Sequence, residues 1–111
     1  MLKDNASEMY QYLQGENIVA FNKAREDGQT VDLRHSVFRG LDLKGANLTG
    51  LDLSGGHFKS ADLRGLDLRD CNLDGCSIFN AKISGVFFPA SLKADEINLS
   101  LLHGTRIRMT V

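Results

Sequence analysis

The sequence predicts a mainly β repeat domain, and three observations predict it. A large apolar residue recurs at every fifth position: Leu33, Phe38, Leu43, Leu48, Leu53, Phe58, Leu63, Leu68, Leu73, Ile78, Ile83 and Phe88. Glycine recurs at the last place of the same pentads, at Gly40, Gly45, Gly50, Gly55, Gly65, Gly75 and Gly85. Between the glycines lie triplets such as Leu41-Asp42-Leu43 and Ala61-Asp62-Leu63, apolar, polar, apolar in order. A fixed period sustained over this length is the mark of a repeat architecture. A glycine every fifth residue would cost a helix about 1 kcal/mol each, whereas it suits a chain that must bend at regular intervals. The triplets place their outer residues on one face and the middle one on the other. Short extended pieces joined by tight turns follow, with the twelve apolar residues as the structural core.

The elements come in three zones within one domain spanning residues 1–111. Residues 1–30 form a lead-in, where Ser7 or Asn5 is placed to cap a helix over Glu8–Gln14 that Gly15 stops. A second helix over about Asn17–Glu26 ends near Gly28 and carries Ile18, Phe21 and Ala24 or Arg25 on one side, as a lid over the repeat requires. Residues 31–90 are the repeat. Residues 91–111 change character after Pro89: Ser91 is placed to cap a helix over Leu92–Leu102, with Asp95 and Glu96 near its positive end and His103 near its negative end. Gly104 stops it. The alternation of Arg106 and Arg108 with Ile107 and Met109 fits either a final edge strand or a tail.

Composition narrows the function classes. The chain has 111 residues, with 13 basic against 14 acidic side chains, so no net field draws in nucleic acid or an acidic membrane surface. No segment approaches the roughly 20 apolar residues of a membrane helix, and the N-terminus does not read as a secretory signal, so a cytoplasmic location is expected. Cys71 and Cys76 are too few for a disulfide framework and lack the further ligands of a zinc site. They occupy apolar first positions of consecutive pentads and are expected to be buried free thiols. His35, His57 and His103 are far apart in the pattern and share no face at ligand spacing. No metal, cofactor or catalytic constellation is legible, and an enzyme is not expected. A pocket between the lid helix and the first coil, holding Asn22, Arg25 and His35, is the one place that would reopen that question.

The runs LDLKGANLTGLDLSG at 41–55 and ADLRGLDLRDCNLDG at 61–75 resemble the A(D/N)Lxx signature of pentapeptide-repeat proteins. The second pentad position is Asp or Asn in seven pentads: Asp32, Asp42, Asn47, Asp52, Asp62, Asp67 and Asn72. The resemblance implies a right-handed quadrilateral β-helix with four pentads per coil, hence about three coils. It also implies first and third residues pointing inward and a helical N-terminal cap. Leu41, Leu51 and Leu66 depart from the small residue usual at the first position and should pack the interior tightly. After Cys76, Ser77, Lys82 and Phe87 replace Asp or Asn.

The resemblance further implies two functional possibilities. One is a rigid scaffold or adaptor that binds another protein. The other is mimicry of duplex DNA toward an enzyme such as gyrase, an activity associated with longer members. The repeat carries seven acidic residues and seven basic ones, whereas DNA presents one negative charge per roughly 1.7 Å. Mimicry is therefore disfavoured, and a protein partner is expected rather than nucleic acid or membrane. Three residues break the inward rule: Val37, Phe79 and Phe87 fall at outward positions. Either the chain's ends cover them or they form a partner-binding patch with Arg39 and Lys59 as its polar rim. A monomer is expected if the exit helix covers the C-terminal end of the tube, and a dimer through that end if it does not.

Overall fold

The computed structural model describes residues 7–109. Among these residues three helices flank a coiled middle section in the order α1 (Glu8–Gln14), α2 (Ile18–Glu26) and α3 (Ala94–His103). Between α2 and α3 the chain advances one coil every 20 residues, as six parallel bridges record: Val37 with His57, Asp42 with Asp62, Asp52 with Asn72, His57 with Ser77, Asp62 with Lys82 and Asp67 with Phe87. Twenty residues are four pentads, so positions five apart occupy successive sides and positions ten apart opposite sides.

The expectation of a mainly β protein needs qualification, because every bridge is isolated and no strand is formed among the described residues. Backbone hydrogen bonding shows why. The first amide of a pentad closes a turn, as in Ala46 N–H to the Leu43 carbonyl at 3.0 Å. The second donates to the preceding coil, as in Asp62 to Leu41 at 2.9 Å, and the third and fifth to the following one, as in Leu43 to Asp62 at 3.0 Å and Gly55 to Asp74 at 2.9 Å. The fourth amide is taken by the Asp or Asn side chain two residues earlier, in all seven pentads that carry one. Asx side chains compete with backbone acceptors in this way wherever the chain bends. A pentad such as 61–65 thus satisfies its five amides while breaking the ladder twice, and no stretch is long enough to be a strand.

Most bends take a left-handed conformation at the fifth position, Asp70 being an exception. Gly55 has φ +71° and Gly65 +76°. Where the repeat lacks glycine there, His35, Ser60 and Asn80 adopt φ of 56°, 61° and 57°. These small or polar residues are among those that tolerate the region, at a cost.

Ten of the twelve third-position residues, from Leu33 to Ile78, are buried. Phe38 and Phe58 stack one coil apart with centroids 4.8 Å apart and planes 12° from parallel. Ile83 and Phe88 are only half-buried, because no further coil lies above them. Leu66 fits inside at 3% exposure, but Leu41 and Leu51 stay half-exposed rather than filling the interior.

Both ends of the coil are closed by side chains and chain segments standing in for a missing neighbour. Ser7 caps α1, accepting from the Tyr10 amide, and Asn17 caps α2, accepting from Ala20; Asn5 lies outside the described residues. Tyr10 Oη and Gln14 Nε2 both donate to the Val37 carbonyl at 2.7 Å. Asn22 donates to the Gly45 carbonyl and accepts from the Asn47 amide, while Arg25 donates to the carbonyls of Asn47 and Thr49. Asn22 and Arg25 are therefore consumed as edge caps, and His35 lies instead against Gly55.

At the other end α3 starts later than expected. Ser91 does not cap it: Lys93 is the N-cap residue, without a side-chain bond. Leu92, buried at 7%, is drawn into a turn on Pro89 instead. The edge amide of Ile78 donates to Ser100 Oγ at 3.0 Å, that of Asn80 to the Leu101 carbonyl, and that of Gly75 to the Ile107 carbonyl. Residues 105–109 form no strand. Glu96 grips the segment, accepting from the Arg108 amide at 2.9 Å and from its guanidinium.

Candidate functional site

One side of the coil gathers functional side chains that the linear pattern keeps apart. The bridges Val37 to His57 and His57 to Ser77 stack three second-position residues in a column. Two residues further along each pentad, Arg39, Lys59 and Phe79 form a parallel column, held by Gly40 N–H to the Lys59 carbonyl and Ser60 N–H to the Phe79 carbonyl, both 2.9 Å. The end of α3 then turns across this side. Gly104, left-handed at φ 74°, brings the chain so close to Phe79 that an added Cβ would sit 3.5 Å from the ring. Arg106 follows, anchored through Nη1 to the Gly75 carbonyl at 3.0 Å, with Nη2 3.4 Å from His57 Nε2.

The result is a shallow depression of about 310 Å³ lined by Arg39, His57, Lys59, Ser77, Phe79, His103 and Arg106, with Gly104 at its wall. Its electrostatics are one-sided. Elsewhere on the coil most basic groups are matched, Arg34 with Asp32, Lys44 and Arg64 with Asp62, and Arg69 with Asp67, and among the described residues Lys82 alone has no carboxylate against it. Among the described residues no carboxylate pairs with Arg39, Lys59 or Arg106. Burial, then the positive charges of Arg106 and Arg39, hold the His57 imidazole below its ordinary pKa. Lys59 Nζ lies 5.7 Å from the Phe79 ring centroid, within cation–π range.

Of the residues singled out from the sequence, the structure brings Arg39, Lys59 and Phe79 together, with Val37 half-buried at the α1 end of the same side. It does not bring Phe87 to them. Phe87 lies two pentads on, hence on the opposite side, 54% exposed, with the Arg69 guanidinium 5.0 Å from its ring centroid. Phe79 is half-covered by the end of α3, so the chain's terminus covers one phenylalanine and leaves the other open. The separation expected for His57 and His103 does not hold either, since both line the depression. Sequence reasoning missed them and Arg106 because a fold-back of α3, not a repeat period, unites them. The one available signal was the αL-prone Gly104 immediately before Thr105 and Arg106.

Nothing in this arrangement activates a nucleophile. Cys71 and Cys76 are buried free thiols whose Sγ atoms donate to the carbonyls of Leu48 and Leu53. Burial raises both pKa values, that of Cys76 to about 12. Among the described residues no three His, Cys, Asp or Glu side chains come together as a metal site would need. No helix among them is long and apolar enough to cross a membrane.

A 20-residue coil of pentads, capped at both ends, defines a repeat protein of the solenoid class. Pentapeptide repeats match the chain in eight copies over residues 31–65 and 57–89, more than half its length. The chain belongs to the pentapeptide-repeat family, whose repeats imply a β-helix solenoid in general. No individual curated protein and no solved structure matches it.

Proposed function

We propose that this protein is a non-enzymatic adaptor, a short right-handed quadrilateral β-helix that docks an acidic segment of a partner protein on the side bearing Arg39, Lys59 and Phe79. The observation that carries it is the convergence, around a half-exposed aromatic ring, of two histidines and three cations that no described carboxylate pairs, whereas Arg34, Lys44, Arg64 and Arg69 are each paired in place. A ring flanked by cations is the kind of anchor that supplies most of an interface's binding energy. The side is rigid because bonds between coils fix its backbone, so little conformational entropy is lost on docking. DNA mimicry remains the less supported alternative, since the same side is positive where a mimic must be negative.

Affinity capture from the native host tests the proposal. The double variant Phe79→Ala/Arg39→Ala is expected to lose the captured partner while retaining its circular dichroism spectrum, with a melting temperature lowered only by the packing Phe79 loses against the end of α3. Capture undiminished by the double substitution refutes the face assignment.

A further inference from the structure

We infer that the depression beside Phe79 is an oxyanion site that takes the phosphate monoester of a phosphorylated side chain on the partner protein. This rests on the docking side proposed above and names the group recognised there. Arg39, Lys59 and Arg106 supply three permanent positive charges, and His57 and His103 add two titratable donors. A phosphate monoester carries about −1.5 to −2 charges and three acceptor oxygens, against one charge for a carboxylate, and so matches this excess better. Guanidinium groups pair with phosphate through parallel N–H bonds. Among the described residues Arg39 makes no hydrogen bond to protein, and Arg106 spends only part of its fork on the Gly75 carbonyl and His57. The Ser77 hydroxyl, only 3.5 Å from the Gly104 carbonyl, is a further donor within the same lining.

The end of α3 does not cancel this field. Its last carbonyls are partly engaged, that of Ser100 by the Gly104 amide and that of Leu101 by the Asn80 amide. The depression is open and lies on an outer side of the coil. A group projecting from a macromolecule therefore suits it better than an enclosed metabolite.

The test uses the full chain with inorganic phosphate as the first probe, read by NMR of the histidine rings across pH. Phosphate is expected to raise the depressed pKa of His57. A nearby anion favours the imidazolium, the reverse of what Arg106 and Arg39 do in its absence. A short peptide bearing one phosphoserine is then expected to bind at least about tenfold tighter than its serine form. Arg39→Ala and Lys59→Ala, which remove no hydrogen bond from the fold, should each weaken phosphopeptide binding by about tenfold. An unmoved His57, equal binding of the two peptides, or tighter binding of a DNA duplex than of the phosphopeptide overturns the inference. Capture that needs Phe79 and Arg39 yet survives phosphatase treatment of the host extract also overturns it, while leaving the docking side itself standing.

Discussion

Replacing Ser100 by alanine should open the capped end of the coil at a single atom. Ser100 is fully buried at 0% exposure, and its Oγ is the acceptor for the Ile78 amide at 3.0 Å. In the coils below, that class of amide donates to the next coil, as Phe58 does to the Ser77 carbonyl at 2.8 Å. Ser100→Ala leaves the Ile78 N–H buried without a partner, a loss of about 1–3 kcal/mol. The better helix propensity of alanine returns up to about 0.5 kcal/mol. The net expectation is a destabilisation of about 0.5–2.5 kcal/mol, or a melting temperature lower by about 3–15 °C for a domain of this size. Thermal melts by circular dichroism measure the first quantity, and hydrogen exchange at the Ile78 amide localises it. Asn98→Ala, on the exposed side of the same helix, serves as the control and should not destabilise the protein. An unchanged melting temperature for Ser100→Ala together with unchanged protection of Ile78 would refute the idea that α3 substitutes for a missing coil.

Gly65→Ala should cost about 1–2 kcal/mol in urea unfolding through backbone strain alone, because φ is +76° and no atom lies within 4 Å of the added Cβ; a neutral substitution would contradict this. The Arg69 guanidinium and amide hold Asp67 down to a pKa of about 2, against 3.8 for a free aspartate. A carboxyl with a lowered folded-state pKa contributes stability above its unfolded pKa and loses it as pH falls through the folded value. Asp67→Asn, which keeps an acceptor for the turn amide as Asn47 and Asn72 do, should therefore show a shallower loss of stability between about pH 4 and pH 2 in acid titrations; an unchanged profile would count against the pairing. Cys76, with its thiol pushed up to about 12, should resist alkylation at pH 8 in the folded protein and react once the chain is unfolded in urea. Rapid labelling without denaturant would show that the coil opens there.

Much of the fold was legible because its causes are local. The period of five exposes itself through Leu33 to Phe88, and the Asx side chains of Asp32 to Asn72 announce the turns by the amides they can reach. The limits of α1 follow from Ser7 and Gly15, whose capping chemistry acts within a turn, while Asn17, read as the first residue of the second helix, is instead its cap. The absence of strands was not legible, since the apolar, polar, apolar triplets are the pattern of a strand. What prevents one is the diversion of first and fourth amides into turns and side chains. The late start of α3 was hidden for a different reason: Ser91 is a good cap in isolation, but burial of Leu92 outweighs it.

The candidate site lay further from the sequence. Arg39, Lys59 and Phe79 are 20 residues apart, and the coil length alone puts them in a column. His57, His103 and Arg106 join them only because Ser100, Leu101 and Ile107 satisfy the open edge of the last coil and so swing the C-terminal segment across that side. By itself the sequence determined the repeat, its register and the neutral pairing over most of its surface, since each depends on contacts within a pentad or one coil. Only the tertiary structure decided where positive charge stays unpaired and which phenylalanine is covered, because both depend on where a non-repeating segment docks to complete the hydrogen bonds of the coil's end.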